Sequence, residues 1–233
     1  MSDVVAIVEG QTEQAFVRDH LAAHLGGRGI SIGARLPGRV VRRGGVRAWE
    51  SVRGDILRTL RERRGRICTT MFDFYAMRND WPGRTAAAGM PLEQKGNHVE
   101  QAILDDLAMH AGEDFRQELF IPYVQIHEFE ALLFADVAKM ADVLAPFCRT
   151  GADGLSTQFQ AILDGAGQAE AINDSYETCP SRRITGVVRA YRKPLHGPII
   201  AGRIGLDVLR EACPHFGRWL GRLEAVGAGG ASG

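Results

Sequence analysis

Lysine is nearly missing from this chain: three Lys stand beside twenty-five Arg. Arginine presents a fixed bidentate fork to phosphate where lysine offers only a point charge, so the imbalance suits contact with nucleic acid. Cysteine is sparse as well. Cys68, Cys148, Cys179 and Cys213 lie far apart with no C-x-x-C pair, which excludes a zinc ribbon and a disulfide scaffold and leads us to expect reduced thiols in a cytoplasmic protein. No apolar run approaches the roughly 20 residues that span a bilayer, so no membrane partner is expected. The opening Met1-Ser2-Asp3 lacks the basic start and long apolar stretch of a signal peptide. With 45% hydrophobic and 24% charged residues, the composition excludes a disordered chain, a coiled coil or a collagen-like repeat.

Several catalytic signatures are also missing. There is no G-x-x-x-x-G-K-[ST] phosphate loop, no G-x-G-x-x-G after a strand, no H-E-x-x-H and no G-x-S-x-G. P-loop nucleotidases, dinucleotide enzymes, zincins and serine hydrolases of the elbow type are thereby set aside. His20 and His24 share a helix face, but two histidines without a third ligand read as packing or surface residues. The cysteines read as small buried hydrophobes.

The net charge of zero hides a division. From Arg28 to Arg66, twelve arginines face Glu50, Asp55 and Glu62, a net of +9; from Glu93 to Asp142, eleven acids face Lys95, Arg116 and Lys139, a net of −8. The basic block fits a phosphate backbone, and its plainer alternative is a solvated helix face. Within it we single out Arg39, Arg42, Arg43 and Arg47 as nucleic-acid contacts that would position a backbone without reading bases. Ser181, Arg182 and Arg183, with Tyr191, Arg192 and Lys193, form a second basic and aromatic cluster suited to gripping phosphate. No feature fixes an oligomeric state.

Apolar runs predict strands at Asp3–Val8, Ile30–Ala34 (with an extension over Arg39–Val41), Ile67–Phe72 and Leu119–Ile126. Between them, Phe16, Val17, Leu21 and Leu25 predict a helix capped by Thr12. Trp49, Val52, Ile56 and Leu60 predict a second, and Val99, Ile103 and Leu107 a third over about 97–110. This alternation predicts an α/β fold with a mostly parallel sheet flanked by helices over residues 1–136. Short helical patterns broken by Pro and Gly predict a helical subdomain over 137–226, whose Phe216, Trp219 and Leu220 read as core. Residues 227–233, rich in Gly, Ala and Ser, read as a disordered tail.

Three of the four predicted strands run straight into carboxylates: Glu9, Asp73, and the Glu128/Glu130 pair. Ligands of an open parallel sheet bind outside the carboxyl ends of its strands, so acids far apart in sequence converge on one edge. Close carboxylates repel unless a cation or protons neutralise them, and hard oxygen donors favour Mg²⁺ or Mn²⁺. Such an ion could activate water and polarise a phosphodiester. Glu9, Asp73, Glu128 and Glu130 are the candidate metal ligands, with Asp80 and Glu13 as weaker ones. Glu13, inside the first helical turn, also reads as a cap. Glu9 could instead act as general acid or base, and Lys193 could stabilise charge on the scissile phosphate.

Val8-Glu9-Gly10-Gln11-Thr12-Glu13 resembles the V-E-G-x-[TS]-[ED] opening of Toprim domains, found in topoisomerases, primases and overcoming-lysogenization-defect nucleases. The resemblance implies a glutamate after the first strand, matched by Glu9, and a later D-x-D pair whose first acid is matched by Asp73. Tyr75 stands at the second acid of that pair, which leaves Asp80, Glu128 or Glu130 to fill the vacancy. The chain more closely resembles a bacterial Toprim-like family known only as a domain of unknown function. That likeness is carried by V-E-G-Q-T-E (8–13), F-D-F-Y (72–75), H-E-F-E-A-L-L-F-A-D (127–136) and C-P-H-F-x-x-W-L (213–220), with Gly197–Ala201 and Ile204–Leu206. It implies a Toprim-like fold, a Mg²⁺- or Mn²⁺-dependent nuclease role in bacterial defence, and a partner ATPase. The competing expectations are a metal-dependent nucleotide phosphohydrolase and an inactive regulatory or binding subunit of an ATPase complex.

Overall fold

The computed structural model describes residues 1–38, 47–113, 115–172 and 178–228. Five strands form the sheet: β1 (Ser2–Val8), β2 (Ile30–Arg35), β3 (Ile67–Asp73), β4 (Phe120–Ile121) and β5 (Val124–Gln125). Their order is β2-β1-β3-β4, β5 also pairs with β3, and every described pairing is parallel. The first seven helices are α1 (Gln11–Phe16), α2 (Ala22–Gly26), α3 (Trp49–Glu62), α4 (Arg84–Ala87), α5 (Leu92–Ala111), α6 (Val137–Leu144) and α7 (Ala152–Ala166). After them come α8 (Pro180–Val187), α9 (Lys193–Ile204), α10 (Leu206–Ala212) and α11 (Pro214–Ala228). The mostly parallel α/β fold with a helical C-terminal part is as the sequence implies. Among the described residues, no helix is long and apolar enough to cross a membrane.

Strand pleating sends alternate residues to opposite faces. Val4, Ala6 and Val8 of β1 join one core with Phe16, Leu21, Ile200, Phe216 and Trp219, whereas Ile7 joins the other with Val52, Ile56, Val99 and Ile103. The sheet therefore lies between α3 and α5 on one side and α1, α2, α9 and α11 on the other. Phe216, Trp219 and Leu220 are core, but the core is that of the sheet itself. The Trp219 ring stacks on Tyr123 at 4.4 Å, and its Nε1–H donates to the Thr69 hydroxyl at 2.8 Å.

Four local expectations change. The first helix begins at Gln11 after Gly10, and Thr12 is buried inside it rather than capping it. Glu13 reaches back to accept the Gly10 N–H at 2.9 Å, half of a capping box. The helix expected over 97–110 starts at Leu92, because polar Gln94–Asn97 carries no apolar period from which its first turn could be read. The fourth strand is two short pieces, since Pro122 has no N–H for a ladder. There the Thr70 hydroxyl replaces the backbone, accepting from Tyr123 N at 3.0 Å and donating to Tyr123 O at 3.1 Å. Helix α11 takes in the first two residues of the stretch read as a tail. The remainder of that stretch and the Arg39–Val41 extension lie outside the described residues.

Candidate active site

The parallel register brings the carboxyl ends of β1, β3 and β5 level. Val8 lies opposite Met71, and Asp73 opposite Gln125. Glu9, the first residue past β1, donates its N–H to Met71 O at 3.0 Å. Its Oε2 accepts the Asp73 N–H at 2.9 Å, which ties two strand ends through a side chain. Beyond β5, His127 turns the chain with a φ of 68°, a left-handed conformation that costs a non-glycine residue roughly 1 kcal/mol or more. His127 O accepts the Tyr75 N–H at 3.1 Å, and the turn delivers Glu128 and Glu130 to the same edge. Phe129, between those two acids, is fully buried in the core.

Lys193, in the first turn of α9, joins the two acids. Its Nζ lies 3.1 Å from Glu128 Oε1 and 2.8 Å from Glu130 Oε2. Helix α9 comes this close to α1 because position 197 is glycine: a Cβ there would stand 3.1 Å from Thr12 Cγ2. Glu128 also accepts Ser181 N at 2.9 Å and the Ser181 hydroxyl at 3.0 Å, so it caps α8 from outside that helix. Glu130 accepts the Tyr191 hydroxyl at 3.1 Å.

The five carboxylates differ in charge preference. Burial pushes Glu9 up to about 7 against the pull of the Asp73 N–H and Lys193, with Glu13 and Glu128 adding repulsion. Burial pushes Glu130 up to about 7 as well, Lys193 opposing it. Asp73 is held well above the usual carboxylate range by burial, then by Glu9 and Glu13. Glu13 is raised by burial against its own backbone N–H, Lys193 and the Gly10 N–H. Glu128 goes the other way: burial disfavours its charge, but Lys193 and the two Ser181 bonds outweigh burial and lower its pKa. For Lys193, burial is outweighed by Glu130, Asp73 and Glu128, which hold it above the ordinary lysine value.

The cluster therefore has two halves. Glu128 and Glu130 are engaged by Lys193, Ser181 and Tyr191. Among the described residues, Glu9, Glu13 and Asp73 share no cation in direct contact, and Asp73 Oδ1 is buried without a hydrogen-bond partner. That orphaned oxygen, on the residue whose backbone N–H holds the Glu9 carboxylate, fits a hard divalent cation in donor chemistry. The fit is one of donor type: among the described residues, no three His, Cys, Asp or Glu side chains are arranged to hold a metal ion.

The remaining sequence candidates fall elsewhere. Asp80 accepts Trp49 N at the start of α3 at 3.2 Å and pairs with Arg78 at 3.3 Å. Tyr75 stands in the turn after Asp73. Arg47 lies against Gly38, and its carbonyl accepts the Trp81 indole N–H at 2.9 Å. Arg39, Arg42 and Arg43 lie outside the described residues. Arg53, Arg58 and Arg66 of the basic block pair with Asp106, Asp55 and Asp3. Arg182 and Arg183 occupy the first turn of α8, next to the Ser181–Glu128 contact, and Arg183 Nε donates to Thr178 O at 2.7 Å. Tyr191, read from sequence as part of a phosphate grip, is instead buried beneath Glu130. Its spacing of two from Lys193 was visible; its partner, sixty-one residues back, was not. His20 bonds Pro198 O at 2.8 Å and His24 bonds Glu224 at 2.6 Å, so the two histidines serve packing on different neighbours.

A family model described as Domain of unknown function (DUF4276) matches residues 8–224. No curated protein matches. Among solved structures, the C-terminal region of the Burkholderia pseudomallei OLD protein is similar in fold, with 16% identity and a TM-score of 0.50. The match covers 97% of this chain and 99% of that one.

Proposed function

The chain belongs to the family described as a domain of unknown function (DUF4276), and from that premise and its carboxylate edge we propose that it is a divalent-metal-dependent nuclease hydrolysing phosphodiesters. The observation that carries this reading is the convergence of Glu9, Glu13, Asp73, Glu128 and Glu130 on one sheet edge, with Lys193 among them and Asp73 Oδ1 unpartnered. Glu9 and Asp73, helped by Glu13, would hold Mg²⁺ or Mn²⁺, which when bound supplies an activated water and a Lewis acid for the phosphoryl oxygen. Glu128 keeps Lys193 oriented, and Tyr191 keeps Glu130 in place beneath it. The Lys193 side chain is 37% exposed, so its ammonium can meet the charge that develops on a phosphate. Glu9, with a pKa near the working pH, is suited to accept or return a proton. Arg182 and Arg183 would steady the strand beside Glu128. A cytoplasmic place in bacterial defence, next to a partner ATPase, belongs to the same reading and rests on the sequence resemblance.

The test is cleavage of supercoiled plasmid, single-stranded DNA and RNA in EDTA, Mg²⁺ or Mn²⁺. Metal-dependent cutting should fall roughly a hundredfold or more in folded Glu9→Ala and Asp73→Ala variants. Cutting that persists in EDTA or survives both substitutions would contradict the proposal. A second reading, an inactive regulatory subunit that keeps the fold, is favoured by one observation: no three described acids are gathered for a metal. It expects no cleavage and no metal uptake.

A further inference from the structure

Two cations meet over one aromatic ring just past the end of β3, and among the described residues neither has an ion-pairing acid. The Arg84 guanidinium carbon lies 4.1 Å from the centroid of the Phe74 ring, and Lys95 Nζ lies 5.2 Å from the same centroid. Phe74 directly follows Asp73 and opens the turn that ends β3. Arg84 begins α4 and Lys95 sits in the first turn of α5, so three separate segments meet at one ring. Both side chains belong to half-buried residues, and Arg84 Nε is buried with no hydrogen-bond partner. Burial lowers the pKa of both groups, and Arg84 lowers that of Lys95 further.

Much of the arginine elsewhere is neutralised locally, as with Arg35 on Glu62, Arg58 on Asp55 and Arg66 on Asp3. The face of an aromatic ring attracts a cation but supplies no counter-charge. Two like charges drawn to one ring, one with an orphaned buried donor, repel each other until an anion bridges them. A phosphate has the charge, the oxygen acceptors and the size to do so, and arginine's fork suits it.

We propose that Arg84 and Lys95 form a phosphate-binding subsite flanking Asp73, which takes a backbone phosphate of the nucleic-acid strand. This rests on the nuclease reading and adds to it where the strand is held. The subsite draws on α4 and α5, outside the arginine-rich runs that the sequence pattern suggests.

The test is binding of a fluorescein-labelled single-stranded oligonucleotide by anisotropy, in EDTA and in Ca²⁺, over a range of salt. Arg84→Gln and Lys95→Gln should each weaken binding by about tenfold, the yield of one charge-assisted bond. The double variant should also lose about 0.7 from the slope of log affinity against log salt, as expected for one released phosphate contact on a single strand. Arg84→Lys combined with Lys95→Arg should restore most of the affinity, and Arg116→Gln should leave it unchanged. Inorganic phosphate and a mononucleotide serve as competitors. Competition by the mononucleotide that vanishes in the double variant would assign the anion to a free nucleotide held by the same pair. If the pair merely packs on Phe74, the glutamine variants will melt earlier while affinity and salt slope stay at the wild-type values. That outcome overturns the subsite and leaves the nuclease reading standing. A wild type that binds no oligonucleotide and cuts none overturns both.

Discussion

Glu130 offers the sharpest test of how the edge is built. It is 0% exposed, its Oε2 lies 2.8 Å from Lys193 Nζ, and its pKa still stands at about 7 against an ordinary 4.5. A carboxylate whose folded pKa exceeds its unfolded one binds its proton more tightly when folded. Its contribution to stability is full below pH 4.5 and is lost as pH rises through 7. The difference between those two values corresponds to roughly 3 kcal/mol. Glu130→Gln keeps the shape and an acceptor for Tyr191 but has no proton to lose. The variant should therefore gain on the wild type by roughly 3 kcal/mol between pH 4.5 and pH 8, whatever constant difference separates them at low pH. Urea unfolding followed by circular dichroism, in EDTA at steps of one pH unit, reads that gap directly. A gap that stays flat, or that moves towards the wild type as pH rises, would refute the claim that burial outweighs Lys193 at Glu130.

Three further outcomes follow from contacts around the site. Trp219→Phe removes the donor to the buried Thr69 hydroxyl and should cost about 1–3 kcal/mol, seen as a lower urea midpoint with unchanged slope. Gly96→Ala would place a Cβ 2.6 Å from the His215 ring, which is held 2.8 Å from Glu100, and should cost about 1–3 kcal/mol by overpacking, read as a fall in melting temperature. Ser181→Ala removes one of the bonds that favour the Glu128 carboxylate, so the Glu128 pKa should rise, as followed by its side-chain carboxyl NMR shift against pH in the metal-free protein.

The parallel core was legible because strands buried on both faces are written as unbroken apolar runs. Asp3–Val8 and Ile67–Phe72 differ from β1 and β3 by one residue each. Glu9 and Asp73 could be placed on one edge from sequence because each immediately follows such a run. The rest depends on contacts between distant segments. Thr70 replaces the missing ladder bond at Tyr123 across fifty-three residues, and nothing in the run Leu119–Ile126 announces it except Pro122. Trp219 reads as core from its spacing, but its choice of Thr69 and Tyr123 is set by packing alone. Lys193 stands out in sequence as part of a basic and aromatic cluster with Tyr191 and Arg192; its grip on both Glu128 and Glu130 depends on the packing of α9 against α1. Arg84 and Lys95 lie in no basic run, so charge patterning passes over them, while several arginines of the dense block prove to be engaged with neighbouring acids.

The most direct measurement is a calorimetric titration of the metal-free protein with Mn²⁺ at pH 7, repeated in two buffers of different ionisation enthalpy. Glu9 stands at about 7, and burial raises Asp73 above the usual carboxylate range, so a cation that takes their oxygens competes with protons and releases them. The expected result is saturable binding whose heat differs between buffers by about one proton per site, and which disappears in Asp73→Asn. Binding that releases no proton, or that persists unchanged in Asp73→Asn, would contradict a metal site at the ends of β1 and β3.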